Sequence, residues 1–374
     1  MMPSELPFRT NRLDALRRFL SEDVRYWAAQ PRKKSLSRQG REIVDLWRRY
    51  RFAPYYYFKH DLYLRDAGEA YRDYIPSLLA DRYVYVINPK DCIDWLEDKL
   101  AFDERMSGAG LPHVRTIAVL SYDDGGAFAQ GRDGARLSIE ALFVLAREEA
   151  PRGVFIKPRL GLGGQGAFRL HIGAAGFERD GMVLSGTDIA ARLAATGYRD
   201  FLVQPYFEQH AELARINPKS VNTLRILTLR TDDAVDIVAS YLRVGGGTSE
   251  TDNGSYGGYA AHADLKTGAV GRVGKVHLTF AKQRGAEHHP ITGVAFGSLR
   301  LPHVEAVVDL VERGARAFAP LRIIGWDIAI GAEGPCAIEA NSIPGFRPVQ
   351  DVCGGLRNTS YGREMARHYG WRAA

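Results

Sequence analysis

Cysteine is scarce in this chain of 374 residues: Cys92, Cys336 and Cys353 are the only three. They lie far apart and form no CxxC pair, which argues against a disulfide framework and against a zinc site. Long hydrophobic runs are missing as well, since no apolar stretch approaches the roughly 18 residues needed to span a bilayer. The opening Met1-Met2-Pro3-Ser4-Glu5 lacks a signal-peptide layout, so a cytoplasmic location is expected. Neither an HRD nor a DFG tripeptide occurs, so protein-kinase signatures are absent. No repeat or low-complexity linker is visible.

What remains is the composition of a globular protein, 45% hydrophobic and 25% charged, long enough for two or three packed lobes. The net charge of +6 is unevenly placed. Arg32, Lys33, Lys34, Arg38, Arg41, Arg48, Arg49 and Arg51 face only Glu42 and Asp45 in the same stretch. The run reads first as a solvated helix face around Ile43, Val44, Leu46 and Trp47, and second as a contact for an anionic partner.

Residues 1–96 have helical spacing, in Leu13-Ala15-Leu16-Phe19-Leu20 and in Ile43-Val44-Leu46-Trp47. A short strand is expected at 83–87, and a helix from Asp91, its N-cap, to about Met106. Beyond about residue 97 the texture becomes short strands, glycine turns and helices. Strands are expected at 115–120, 154–157, 167–172, 201–204, 222–229, 234–244 and 259–264, and helices at 138–150, 188–196 and 302–318. Short connections between neighbouring strands favour antiparallel sheets and an α+β class.

The chemistry concentrates at the C-terminal end. Gly325-Trp326-Asp327-Ile328-Ala329-Ile330 and Ala337-Ile338-Glu339-Ala340-Asn341 read as two strands of a hairpin turning around Glu333. That register sets Asp327 opposite Glu339, and strand alternation turns Asn341 the same way. Three oxygen donors on one face suit magnesium or manganese rather than zinc. Upstream, Val154-Phe155-Ile156-Lys157-Pro158 ends in a lysine and runs into Gly161-Leu162-Gly163-Gly164-Gln165-Gly166. A dinucleotide fold requires a helix next, yet Ala167 to Ile172 alternates as a strand does. A glycine flap with a lysine at its root suits a nucleotide triphosphate; a plain surface hairpin fits equally. Arg225 interrupts an apolar strand face and calls for an anionic partner, in the simplest case a structural ion pair.

In order, Asp98-Lys99, Ile156-Lys157-Pro158, the glycine flap, Gln204-Pro205, Arg225, Asp327 and Glu339 to Gly345 resemble the ATP-grasp superfamily over about residues 95–350. Asn222 to Arg225 and Gln204 to His210 look most like its sugar-transfer-associated, glutamate-ligase-like group, and Glu339 to Gly345 looks like the metal and substrate loop of D-alanine–D-alanine ligases. The resemblance implies an ATP-grasp fold with two α+β lobes clamping ATP, at 97–205 and 206–374, after a mainly helical region at 1–96. It further implies that Lys99, Lys157 and the flap residues Gly163, Gly164 and Gln165 hold phosphates. Gln204 and Tyr206 would flank adenine, with Glu208 or Glu212 on ribose. Asp327, Glu339 and Asn341 would bind two Mg²⁺ ions, Mn²⁺ being an alternative, and Arg225 would steady the transferred phosphoryl group. Ser342 and Gly345 would orient a substrate carboxylate. Two departures stand out: Gln204 replaces the usual hinge acid, and the first 90 residues lack a glycine-rich strand–helix start.

The implied reaction is ATP-dependent ligation of a small-molecule carboxylate to an amine through an acyl phosphate, with no nucleic-acid partner expected. A kinase of ATP-grasp shape and a non-catalytic ATP-binding scaffold are the alternatives. Gly245 to Gly247 and Asn253 to Gly258 read as loops bordering the site. His262, Lys275 and His277 read first as structural residues.

Overall fold

The structure, a computed structural model, describes residues 24–161, 163–247, 252, 257–276 and 285–371. Leu13 to Leu20, Leu162, Asn253 to Tyr256 and His277 lie outside the described residues. The chain divides into two compact units, one containing the described residues up to Tyr83 and from Gly345 onward, the other the described residues from Val84 to Pro344.

The first unit is helical. Helix Leu36–Tyr50 starts at Ser35, whose hydroxyl accepts from the Arg38 amide at 3.3 Å, and ends at Arg51 in the left-handed region. Its inner face buries Gln39, Glu42, Leu46 and Tyr50. Glu42 is buried without an uncompensated charge, because Lys34, Arg38 and the Tyr57 hydroxyl all donate to it. Two helices from the far end of the chain, Phe346–Cys353 and Ser360–Tyr369, complete this unit. Gln350 exchanges hydrogen bonds with the Ile75 backbone, Tyr361 donates to the Ala80 carbonyl at 2.6 Å, and the rings of Phe346 and Tyr361 stack at 4.5 Å.

The strand expected at 83–87 is instead the end of helix Ser77–Ile87. Val84 and Val86 suggest a strand, but Ser77, Ala80, Tyr83 and Val84 are the buried positions, a helical spacing of three and four. The helix expected from Asp91 is likewise broken. A short helix Asp94–Glu97 stops, and helix Lys99–Gly108 restarts with Asp98 as its N-cap.

The second unit carries two antiparallel sheets. The first has the order β3-β2-β1-β8-β4-β5-β6-β7, with β1 Ala118–Asp123, β2 Gly126–Gly131, β3 Arg136–Leu137, β4 Val154–Pro158, β5 Phe168–Ile172, β6 Phe177–Arg179, β7 Met182–Val183 and β8 Phe201–Pro205. Helices Ile139–Glu149 and Gly186–Ala194 pack on one face through Ile139, Leu142, Phe143, Ile189 and Leu193. Val154, Ile156, Phe201 and Val203 point into that core, so alternation turns Lys157 and Gln204 to the opposite face.

The second sheet has the order β13-β12-β11-β10-β9-β14-β15, with β9 Leu224–Arg230, β10 Val235–Val244, β11 Tyr259–His262, β12 Gly274–Val276, β13 Gly285–Ala286, β14 Ile323–Gly331 and β15 Gly334–Asn341. Helix Val304–Ala317 buries Val307, Leu310 and Val311 in the core beneath it. Trp326 is fully buried there and donates to Thr228 at 2.9 Å. A Cβ at Gly314 would come within 2.7 Å of the indole, so glycine is needed where helix and sheet meet. With Trp326 and Ile328 pointing inward, Asp327 between them faces the other way.

Candidate active site

Asp327 pairs with Glu339 across the hairpin, as the sequence suggests, but by a different route. The turn is tighter than one centred on Glu333, since Gly331 pairs with Gly334 and Ile328 with Ala337. A bulge at Ile338 absorbs one residue and brings Glu339, not Ile338, opposite Asp327. The row continues into the sheet. Asp327 stands opposite Arg225 of β9, and Arg225 opposite Tyr241 of β10.

Arg225 grips Asp327 with two bonds, Nε to Oδ1 at 2.5 Å and a terminal nitrogen to Oδ2 at 2.9 Å. Arg243, at the end of β10, donates to the same Oδ2 at 2.8 Å and to Asp252 at 2.9 Å. Asp252 also accepts from the Thr223 amide and hydroxyl. Burial favours protonation of Asp327, yet Arg225 and then Arg243 hold its carboxyl well below the ordinary range. For Asp252 burial wins over Arg243 and raises the carboxyl.

Lys157 reaches this row from the first sheet. Its ammonium donates to the Ile338 carbonyl at 3.1 Å, on the bulge itself, and it is 6% exposed. Burial lowers Lys157 to about 8, although Glu339 pushes the other way. Lys99 begins the restarted helix and donates to the Gly161 carbonyl at 2.6 Å, at the root of the glycine flap. The break that frees it is fixed by Asp98, which caps the Leu100 amide and pairs with Arg159 at 2.6 Å. In the flap, Gly163, Gly164 and Gly166 have φ of 71°, 71° and 72°, a turn that side chains resist, and Gln165 is exposed between them.

The remaining expected residues occupy varied positions. Gln204 is buried and its amide donates to the Val114 carbonyl at 2.8 Å and to Thr116 at 3.2 Å, so its side chain fastens the strand end. Tyr206 carries the Arg169 guanidinium 3.5 Å from its ring centre, and Glu208 pairs with Arg152. Both line a cleft of about 1430 Å³ with His210 and Cys336. Glu212 accepts from Arg215 at 2.7 Å and from the Arg300 amide at 3.2 Å. Ser342 is buried and donates to Glu97. Gly345, with φ of 75°, precedes helix Phe346–Cys353 and belongs to the helical unit. Asn341 donates to Asp327 at 3.4 Å. His262 ends β11, exposed, and Lys275 lies in β12.

Arg243, Asp252 and Glu97 are missing from the sequence-based set. Arg243 carried the same signal as Arg225, a lone cation in an apolar strand. Asp252 carried none, since its sequence neighbours are also polar: Ser, Glu, Thr and Asn.

The family described as sugar-transfer associated ATP-grasp matches residues 78–359. The chain belongs to this ATP-grasp family. The match covers both sheets, the flap, the arginine row and the Glu339 to Gly345 signature. Among solved structures, D-alanyl-alanine synthetase A from Vibrio cholerae aligns at 12% identity over 76% of this chain and 63% of its own, with a TM-score of 0.39. Biotin carboxylase from Campylobacter jejuni aligns at 12% over 79% and 52%, TM-score 0.40, and the D-cycloserine synthetase DcsG at 17% over 78% of each, TM-score 0.38. The chain thus spans less than two thirds of the first two. No curated protein sequence matches it.

An ATP-grasp protein uses ATP, generally with magnesium. Among the described residues no cluster of three His, Cys, Asp or Glu side chains is present, so a metal set here needs the Asn341 amide for its third oxygen. Asp327, Glu339 and Asn341 fit a magnesium ion by donor type, all oxygen and carrying two negative charges.

Proposed function

We propose that this ATP-grasp protein is an ATP-dependent carboxylate–amine ligase acting through an acyl phosphate. The observation that carries the reading is the row Arg225–Asp327–Glu339, with Arg243 beside it and Lys157 on the bulge. Arg225, Asp327, Arg243 and Asp252 alternate in charge within hydrogen-bonding distance, and such a charged row matches a triphosphate and its metal better than an apolar ligand. Magnesium held by Asp327, Glu339 and Asn341 would supply charge neutralisation at the phosphates.

In the first step a substrate carboxylate oxygen attacks the γ-phosphorus, the β–γ P–O bond breaks and ADP leaves. The amine then attacks the acyl carbon, phosphate departs, and the amine proton passes to solvent or buffer. Lys157, Lys99 and the flap amides position the phosphates, while Arg225 and Arg243 balance charge on the transferred group. A carboxylate acceptor arrives already deprotonated, whereas a hydroxyl acceptor needs a base. Asp327 is clamped by Arg225 and Arg243, which hold its carboxyl well below the ordinary range and make it a poor base, and this favours ligase over kinase.

The test is incubation with Mg²⁺-ATP, a panel of small carboxylates and hydroxylamine. The expected outcome is ADP with a hydroxamate. A stable phosphorylated product would instead identify a kinase, and full ATP turnover by Asp327→Asn or Glu339→Gln would remove these residues from the metal site.

A further inference from the structure

The basic run at 32–51 resolves into two populations. Five of its eight cations are tied down: Arg32 pairs with Asp66, Lys33 donates to the Trp27 and Ala28 carbonyls, Lys34 and Arg38 hold Glu42, and Arg49 pairs with Asp45. The other three, Arg41, Arg48 and Arg51, are exposed and make no ion pair among the described residues. They share one face of helix Leu36–Tyr50 and its C-cap with Leu36, Val44 and Trp47, which are 69%, 44% and 49% exposed. Ser37 and Gly40 complete the face. At 100° per residue these eight positions span an arc of roughly 140°, with no carboxylate in it. The Arg51 guanidinium lies 5.1 Å from the Trp47 ring centre.

We propose that this outer face of helix Leu36–Tyr50 docks on the surface of an anionic lipid bilayer. Charge complementarity selects the partner. Three arginines that make no ion pair among the described residues, with no acid on their face, call for a dense anionic surface, and two copies of the face would repel each other. A nucleic acid would satisfy the arginines but leave the Leu36, Val44 and Trp47 ridge against phosphate and water. A headgroup layer accepts both halves, with Trp47 and the aliphatic side chains at the acyl boundary and the guanidinium groups among lipid phosphates. Phe52 and Tyr55, partly exposed just past the helix, extend the same interfacial chemistry. Docking of this kind is peripheral: no helix among the described residues is long and apolar enough to cross a membrane.

The full chain is to be sedimented with vesicles of phosphatidylcholine alone and of phosphatidylcholine mixed with phosphatidylglycerol. The expected result is binding to the mixed vesicles only, lost on raising salt. Arg41→Gln with Arg48→Gln should weaken it roughly fivefold per arginine. Trp47→Ser should weaken it roughly tenfold through lost apolar burial, while thermal unfolding of all variants stays unchanged. Equal binding to both vesicle types, no binding to either, or binding that these variants leave intact would overturn the proposal. So would salt-dependent capture of DNA or RNA by the same arginines without vesicle binding, or dimerisation that Trp47→Ser abolishes.

Discussion

Single charges in this protein are set by burial and by one or two partners, and that makes individual substitutions readable. Asp81, which accepts from the Phe346 amide at 3.1 Å, is raised by burial to about 6. A carboxyl that holds its proton more tightly folded than unfolded contributes stability below its unfolded value of 3.8, and that stability is lost as pH rises through about 6. Asp81→Asn keeps the acceptor without the charge. It should therefore be more stable than wild type at neutral pH, by up to about 3 kcal/mol, with the gain vanishing in acid. Denaturant titrations across pH will show this, and an equal gain at all pH values would refute it. In the arginine row the opposite applies. Arg225→Met leaves Asp327 with Arg243 alone in a buried setting and should cost about 3–5 kcal/mol, measurable by urea unfolding.

At the level of elements, two irregularities position the chemistry, and both escaped the sequence. Antiparallel sheets, the flap and the Asp327–Glu339 opposition were legible because alternation and glycine placement encode them locally. The bulge at Ile338 was not, since one extra residue leaves the apolar pattern intact while the turn shortens to compensate. Nor was the break at Asp98, because Asp94 to Met106 has unbroken helical composition and only Arg159, distant in sequence, reveals why the aspartate turns out of the helix. Asp98→Ala should cost about 1 kcal/mol for the cap alone, and should raise the KM for ATP more than it lowers kcat as Lys99 loses its place. Deleting Ile338 would restore a regular ladder with Glu339 still opposite Asp327, but without the carbonyl that Lys157 reaches. Such a variant should fold and bind ATP more weakly, as calorimetry can establish.

For the whole molecule, the decisive feature is that the helical unit is built from both ends of the described chain. Gln350, Asp351 and Tyr361 meet Ile75, His60 and Ala80, contacts that no local pattern announces because they join residues more than 270 positions apart. A chain stopped at Pro344 should leave 84–344 resistant to trypsin while cleavage appears at Arg41 and Arg48; mass spectrometry of the fragments is the check, and unchanged protection before Tyr83 would contradict it. Among the described residues, the two-sheet unit of Val84 to Pro344 is thus flanked on both sides in sequence by parts of the helical unit. Recombination can exchange it only as a cassette that keeps both flanking parts of the helical unit from one parent. A single crossover anywhere inside it would join the first helices of one parent to the last helices of another, so the mismatch would reach Gln350 and Tyr361 as well as the inserted unit itself.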